Sequence, residues 1–194
     1  MKKVAIIGAT GSLGRSLRLE LADDNQYDVT LFSRRAESLD LASNEKAVNG
    51  SATSGDDLDK VLAGQDIAFV ALSGDLPKMA TEIVASMKRV GVKRIVFVSS
   101  MGIYGEVAGE PAGVVSPILR PYRKAADIIE ASGLYYTILR PGWFDNGTDT
   151  TCQITQKGEP FYGHDVSRKA IVTLVKQIID QPETYVNTSL GLYR

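Results

Sequence analysis

The sequence predicts a doubly wound α/β fold, in which helices cover both faces of one parallel sheet. Short apolar runs rich in Val, Ile and Phe recur along the 194 residues, and segments with helical spacing separate them. The runs lack a clean alternation of apolar and polar residues, which is typical of strands buried on both faces. Strands that alternate with helices favour right-handed crossovers and therefore a parallel sheet.

Five apolar runs are predicted as strands of this sheet, and a sixth, weaker run contains Ala47 and Val48. The five runs cover residues 3–8, 28–33, 66–74, 94–100 and 135–142. Ligands of such folds bind beyond the carboxyl ends of the strands. The two least patterned stretches, 101–121 and 146–165, both follow strands, so we expect these loops to form the walls of a binding site.

Three helices are predicted from the spacing of their apolar residues. The first begins near Ser12, and the second has Pro77 in its first turn and Gly91 at its end. The third lies near the C-terminus, where Asp165 is the expected N-cap and Pro182 follows the last turn. Its apolar residues follow the i, i+3, i+4, i+7, i+8 pattern: Ile171, Leu174, Val175, Ile178 and Ile179.

The composition argues against nucleic acid and membranes as partners. The 22 basic and 23 acidic residues nearly cancel, so no excess positive charge is available for a polyanion. No apolar run approaches the ~18 residues that a membrane span requires, and glycines interrupt the first run too early for a signal peptide. One cysteine, Cys152, and one histidine, His164, cannot form a disulfide or a closed metal site. We expect a cytoplasmic protein without a metal.

The stretch GATGSLG, residues 8–14, is the strongest functional signal in the chain. Its glycines follow the first predicted strand and open the first helix. Gly8 allows a tight turn, Gly11 lets the backbone approach a pyrophosphate, and Gly14 lets the helix pack closely against the sheet. The N–H groups of the helix then face the phosphates. The motif predicts dinucleotide binding by six residues: Gly8, Thr10, Gly11, Ser12, Leu13 and Gly14.

With its Gly-x-x-Gly-x-x-Gly spacing, the chain resembles the extended and atypical branches of the short-chain dehydrogenase/reductase superfamily. The stretches AGQDIAFVALSG, RIVFVSSMGIYG and IIEASGLYYTILRPGWF resemble its NmrA-like, NAD(P)-binding group. The resemblance implies one Rossmann-type domain over residues 1–194, with 145–194 completing a small lobe on the substrate side. It also assigns residues that contact the adenine, the nicotinamide ribose and the nicotinamide in turn: Ser51 and Ala52, Ser73 and Gly74, and Pro141, Gly142 and Trp143.

The end of the second strand predicts which dinucleotide is bound. NAD sites place an acid there for the ribose 2'-hydroxyl, whereas NADP sites offer an arginine to the 2'-phosphate. This chain has Ser33, Arg34 and Arg35 and no acid at the strand end. Two arginines in a loop are often only solvated charge. After a dinucleotide motif they favour NADP(H), with NAD(H) as the alternative.

The catalytic residues are harder to assign, because the superfamily's usual pair is absent. Its acid is a tyrosine four residues before a lysine that lowers the phenol pKa, and none of the eight tyrosines has a lysine there. Tyr122 lies in the expected region, but Lys124 is only two residues away. Ser100 matches, by resemblance, the serine directed at a substrate carbonyl or nicotinamide, or it bonds the backbone at a strand end. Tyr104 follows in the same loop, so the candidates are these three residues.

Two functions fit these observations. The first is reduction of a compact conjugated molecule, such as a flavin, a quinone or a tetrapyrrole, whose electron-poor ring needs little help from a positioned acid. Here the chain resembles biliverdin-IX-beta and flavin reductases. The second is a redox sensor that binds the dinucleotide without turnover and acts through a protein partner, as the resemblance to NmrA-like regulators implies. Trp143 and Phe144 near the expected nicotinamide favour the reductase.

Overall fold

The protein is built around one large sheet, as described by a computed structural model of residues 1–194. Its strands are, in chain order, β1 (Lys2–Ile7), β2 (Tyr27–Ser33), β3 (Glu45–Asn49), β4 (Ile67–Val70), β5 (Arg94–Val98), β6 (Tyr135–Pro141), β7 (Trp143–Asp145), β8 (Gln153–Thr155), β9 (Asp165–Ser167) and β10 (Thr188–Tyr193). Eight of them form the large sheet in the order β3-β2-β1-β4-β5-β6-β10-β8, and β7 pairs with β9 separately.

The strand order places a crevice between β1 and β4. Neighbouring strands of the large sheet are parallel, except that β8 pairs antiparallel with β10. The chain runs outward from β1 through β2 to β3, and then returns to the other side of β1 to form β4. This reversal creates the position at which doubly wound sheets bind their ligands.

Five helices cover the two faces of the sheet. They are α1 (Ser12–Leu21), α2 (Gly55–Leu62), α3 (Leu76–Val90), α4 (Arg120–Glu130) and α5 (Arg168–Asp180). Helix α1 packs beside α5, while α3 packs between α2 and α4. None of the five is long and apolar enough to cross a membrane.

Both faces of the sheet are buried to a similar extent. The hydrophobic cluster on the α1 and α5 side contains 24 buried residues, and the cluster on the other side contains 23. Strand β1 contributes Val4 and Ile6 to the first cluster and Ala5 and Ile7 to the second. Alternate residues of one strand therefore enter different cores, which explains why the apolar run is continuous.

The predicted fold class is confirmed. Helices α2 and α4 are additional to the three predicted helices, and further differences lie at strand ends and near the C-terminus. Strands β4 and β5 end at Val70 and Val98, four and two residues before their predicted ends, because the chain turns there into loops of the crevice. Asp165 as N-cap of the last helix is wrong. It belongs to β9, and Ser167 caps α5 by accepting a hydrogen bond from the N–H of Ala170 at 2.8 Å. Pairing with β7 keeps the chain extended to Ser167.

The two loops that were expected to form walls contact each other. An isolated bridge joins Val107 of the first loop to Phe161 of the second. The N–H of Ala108 donates to Phe161 O at 2.9 Å, and the N–H of Phe161 donates to Glu106 O at 2.8 Å. These bonds fix the loops to each other beyond the carboxyl ends of β5 and β6.

Candidate functional site

The turn after β1 can be formed only by glycine at its first position. Gly8 has a φ of +97°, and a Cβ there would lie 2.1 Å from the carbonyl oxygen of Ala71. A Cβ on Gly14 would lie 2.2 Å from the carbonyl oxygen of Gly8. The first glycine therefore allows the turn to pass under β4, and the last brings α1 against that turn.

The N-terminus of α1 offers free hydrogen-bond donors to a ligand. Its N-cap, Gly11, has no side chain that could accept a hydrogen bond. The N–H groups of Ser12, Leu13 and Gly14 donate to no backbone or side-chain acceptor. Unpaired N–H groups and the positive end of the helix dipole favour an anion at this position.

A cavity of about 570 Å³ extends from this turn toward the ends of β2, β3 and β4. Ten of the residues predicted to bind the cofactor line it: Gly8, Thr10, Gly11, Ser33, Arg34, Arg35, Ser51, Ala52, Ser73 and Gly74. Six others do not: Ser12, Leu13, Gly14, Pro141, Gly142 and Trp143. The cavity therefore brings together the residues expected around the adenosine, part of the glycine turn, and Ser73 and Gly74, which were expected at the nicotinamide ribose. The other six lie at the start of α1 and at the end of β6.

Six lining residues were not predicted: Phe32, Gly50, Thr53, Ala71, Leu72 and Met79. Four of them, Phe32, Gly50, Ala71 and Leu72, lie within two residues of a strand end, which is a position that the sequence identifies once the strands are placed. Gly50 was detectable for another reason, since a Cβ there would lie 2.5 Å from the ring of Phe32. The glycine leaves that ring free to form part of the cavity wall.

The cavity is positively charged at the end of β2. Arg34 and Arg35 line it, none of the lining residues is acidic, and neither arginine forms an ion pair. The nearest acid in sequence, Glu37, accepts a hydrogen bond from Asn49 Nδ2 at 2.7 Å and is engaged there. Two uncompensated guanidinium groups beside a cavity are suited to bind a phosphate.

The loop after β3 is shaped by hydrogen bonds to its own side chains. The N–H of Ser51 donates to Asp57 Oδ2 at 3.1 Å, and the hydroxyls of Ser51 and Thr53 are 2.8 Å apart. The backbone bond from Ser51 contributes most to lowering the pKa of Asp57. These contacts hold Ala52, which is buried, against the cavity.

The end of β5 carries two serines without protein partners. Ser99 is 6% exposed, and its hydroxyl has no hydrogen bond. Ser100 is half-buried, and its hydroxyl likewise makes no hydrogen bond with the protein. Ser100 is therefore free to bind a ligand, and the alternative in which it bonds the backbone does not occur in this structure.

Tyr104 and Tyr122 lie away from the cavity. The hydroxyl of Tyr104 donates to Glu130 Oε1 at 2.6 Å and lies 3.1 Å from Ser189 Oγ. Burial, followed by Glu130, raises the pKa of Tyr104 far above its ordinary value. Tyr122 is half-buried and packs against the core between α3 and α4 without a hydrogen bond. None of the three catalytic candidates lines either of the two cavities. Ser100 and Tyr122 both have hydroxyls without a protein partner, and Ser100 lies nearer to the crevice in the fold, because it follows β5, which pairs with β4.

The segment after β6 holds exposed aromatic residues at the same edge of the sheet. Trp143 is 67% exposed, and its ring stacks on His164 with centroids 6.5 Å apart. Gly142 permits this approach, since a Cβ there would lie 2.2 Å from the carbonyl oxygen of His164. His164 Nδ1 lies 2.7 Å from Asp165 Oδ1 on the surface.

Cys152 is half-buried, and burial raises the pKa of its thiol.

A second cavity, of about 390 Å³, adjoins the first at Gly74. Its walls include Pro117 and Pro121 and the side chains of Arg120 and Lys124, one turn apart on α4. Neither cation forms an ion pair. The two cavities share Gly74 as a lining residue, and together they are called the cleft.

Sequence comparisons place the chain among dinucleotide-binding proteins. A family model described as NAD(P)H-binding matches residues 8–182. The uncharacterized sugar epimerase YhfK of Bacillus subtilis is 31% identical in an alignment that covers 88% of this chain and 86% of that protein. The NmrA-like family domain-containing oxidoreductase himF of Aspergillus japonicus is 28% identical in an alignment that covers 74% of this chain and 47% of that protein.

Solved structures agree with this placement. A Rossmann-fold NAD(P)-binding family protein from Shigella flexneri has a TM-score of 0.87 and 38% identity, over 100% of this chain and 94% of that one. A short-chain dehydrogenase/reductase from Veillonella parvula, solved in complex with NADP, has a TM-score of 0.87 and 24% identity at the same coverage. At 24% identity the second likeness is one of fold.

Proposed function

The chain belongs to the NAD(P)H-binding family of Rossmann-fold proteins, and on that premise we propose that it uses NADP(H) to reduce a compact conjugated molecule. The observation that carries the proposal is the cleft itself. Its glycine turn and free helix N–H groups suit a diphosphate, and Arg34 and Arg35 stand without an acid at the end of β2. A carboxylate for the 2'-hydroxyl of NAD is missing from this position.

The residues of the cleft fit the dinucleotide in chemical character. Arg34 and Arg35 would hold the 2'-phosphate, Ser51 and Ala52 the adenine, and the N–H groups of α1 the diphosphate. When bound, the reduced nicotinamide supplies a hydride. Ser100 would donate its free hydroxyl to negative charge that develops on the acceptor, which stabilises the transition state more than the ground state.

The acceptor is proposed to occupy the second cavity and to pack against the exposed ring of Trp143. The cavity holds about 390 Å³ and is lined by two cations that form no ion pair, Arg120 and Lys124, and by one acid, Asp75. This excess of positive charge suits a small molecule with an anionic group. A flavin phosphate or a quinone is small enough for a cavity of this volume. Both have electron-poor rings that accept hydride directly, with water as the source of the proton.

Anaerobic oxidation of NADPH with FMN or a small quinone tests this function. Ser100→Ala should lower kcat by about 10-fold to 100-fold without weakening NADPH binding, because one neutral donor to the transition state is removed. Ser99→Ala is the matched control, since its hydroxyl is buried and unpartnered. Tyr122→Phe should change the rate less than Ser100→Ala. Equal rates in the wild type and Ser100→Ala would contradict the assigned role.

A redox sensor is the second candidate, and the missing Tyr-x-x-x-Lys pair favours it. Tight NADPH binding without oxidation of flavins, quinones or aldehydes would reverse the order of the two functions. A protein partner whose affinity changes between NADPH and NADP+ would then support the sensor. Turnover of a nucleotide sugar without net oxidation of NADPH would instead support the activity named for the Bacillus relative.

A further inference from the structure

Arg168, the first residue of α5, is held rigidly beside the glycine turn. Its Nε donates to Ser12 Oγ at 2.5 Å, and its Nη1 donates to Asn146 Oδ1 at 3.0 Å. The guanidinium carbon lies 4.9 Å from the centroid of the Phe144 ring, a distance at which a cation and an aromatic face attract each other. Three contacts from two segments, the start of α1 and residues 144–146, fix the position of this charge.

Arg168 forms no ion pair, although neighbouring cations do. One carboxylate that it influences, Asp145, has its pKa lowered mainly by the N–H of Gly147 and by Arg194, and least by Arg168. Lys169 pairs with Glu20 at 2.5 Å, and Arg194 pairs with Asp145 at 2.5 Å and with Asp149 at 3.0 Å. Arg168 forms no ion pair, and its Nη2 group donates to no protein atom. A half-buried guanidinium with three free N–H groups, one on Nη1 and two on Nη2, therefore remains available to an external anion.

Arg168 lies beside the end of the cleft that is expected to hold the diphosphate. Ser12, which it contacts, begins the helix whose first N–H groups are unpaired. Phe144, which it covers, follows Trp143 in β7, on the side expected to hold the nicotinamide. Arg34 and Arg35 lie on the other side of the turn, in the adenosine cavity, which neither Ser12 nor Arg168 lines.

We infer that Arg168 is a further cofactor-binding residue, which contacts the dinucleotide's diphosphate from the nicotinamide side. The inference rests on the proposed use of a nicotinamide dinucleotide. The guanidinium offers its free N–H groups to a phosphate oxygen while Ser12 and Asn146 hold it in place. Arg34 and Arg35 discriminate between the two cofactors, whereas Arg168 binds a group that both cofactors share.

Titration of Arg168→Ala with three ligands tests whether Arg168 has a different role from Arg34 and Arg35. NADPH and NADH should both bind about 10-fold to 100-fold more weakly, because a charge-assisted contact to a common group is lost. Adenosine 2',5'-bisphosphate lacks the nicotinamide half and should bind with nearly unchanged affinity. Replacing Arg34 and Arg35 should give the opposite pattern, in which NADH is the ligand least affected.

Lys169→Ala is the matched control, since it removes the adjacent charge and an ion pair with Glu20 while leaving the turn intact. Its affinity for NADPH should equal that of the wild type. A lower melting temperature for Arg168→Ala with unchanged NADPH and NADH affinity would overturn the inference and leave Arg168 as a structural link. A raised KM for FMN but not for riboflavin, with unchanged NADPH affinity, would also overturn it and assign the charge to the acceptor.

These results separate the inference from the proposed function. If the wild-type protein binds neither dinucleotide, the proposed function fails. If it binds NADPH and Arg168→Ala binds both dinucleotides as tightly as the wild type does, only the role of Arg168 fails.

Discussion

At the scale of single residues, the three glycines of the first turn are required for different reasons. Gly8 and Gly14 are required by the protein, because a Cβ at either would meet backbone oxygen at close to 2 Å. Gly11 has its nearest atom, the carbonyl oxygen of Gly8, 3.2 Å from a Cβ position, and it lines the cavity. Its side chain is therefore excluded mainly by the space that a ligand needs.

This difference predicts opposite effects for two alanine substitutions. Gly14→Ala should lower the free energy of unfolding, because α1 must move away from the turn. Gly11→Ala should leave the melting temperature nearly unchanged and weaken NADPH binding by at least about 10-fold. Thermal unfolding and fluorescence titration of both variants provide the comparison. Normal binding by a folded Gly11→Ala would refute its proposed role.

The two arginines at the end of β2 should determine the choice of cofactor. Replacing both Arg34 and Arg35 with alanine removes charge-assisted contacts of about 1.5 to 3 kcal/mol together. The dissociation constant for NADPH should rise accordingly, while that for NADH should stay within about 2-fold. Lys88→Ala on the exposed end of α3 controls for the loss of positive charge. An unchanged NADPH preference in the double variant would exclude these residues as its cause.

The sequence could identify the glycines and arginines of the site but not the direction in which the side chain of Tyr104 points. The glycines and arginines follow strand ends, where backbone geometry places every residue near the crevice. A tyrosine in the loop after β5 can turn toward the crevice or toward the helices, and local pattern does not decide between them. Here Glu130 and Ser189, 26 and 85 residues away in sequence, hold its hydroxyl.

At the scale of elements, a buried ion pair fixes the loop that follows β5. Arg140 of β6 is fully buried, its partner Glu106 has a side chain that is 5% exposed, and Arg140 Nη1 donates to Glu106 Oε1. Glu106 also accepts from the N–H groups of Gly102 at 3.1 Å and Tyr104 at 2.9 Å. One carboxylate thus connects the strand to the backbone of the loop that begins beside Ser100.

Removing this carboxylate should be strongly destabilising. Glu106→Ala leaves the Arg140 charge buried and unpaired, which costs about 3 to 5 kcal/mol in comparable sites. Urea unfolding measures the loss, and Glu110→Ala, on the exposed part of the same loop, is the control. Similar stabilities of the two variants would show that the ion pair does not hold the loop.

Strands and helices are predicted correctly where they have a clear apolar pattern, and they are missed where they depend on pairing with a segment distant in sequence. Strands β1, β2, β5 and β6 are mostly apolar and buried, and α3 has a proline and a glycine at its ends. Strands β7 and β9 are three residues each and exist because they pair with each other. Short segments of this kind carry too little pattern to be recognised before their partners are known.

At the scale of the whole molecule, buried tyrosines make stability depend on alkaline pH. Burial is the largest cause that raises the pKa of both Tyr104 and Tyr27 above 10.0. In the unfolded chain both phenols ionise near pH 10, so above that pH the folded state binds more protons and loses stability as pH rises.

The free energy of unfolding should therefore decline from about pH 9.5 to 11. Tyr104→Phe should make this decline shallower, whereas Tyr162→Phe should not, because Tyr162 is exposed. Urea unfolding at a series of alkaline pH values measures both slopes. Parallel slopes for the wild type and Tyr104→Phe would exclude Tyr104 as a source of the dependence.

The central claim is that the cleft across the carboxyl edge of the sheet is an NADP(H) site. Titration of the wild-type protein with NADPH and with NADH, followed by nicotinamide fluorescence, tests it before any acceptor is known. We predict that both bind and that NADPH binds at least about 10-fold more tightly, because Arg34 and Arg35 meet its 2'-phosphate. Equal affinity for the two, or binding of neither, would contradict the claim.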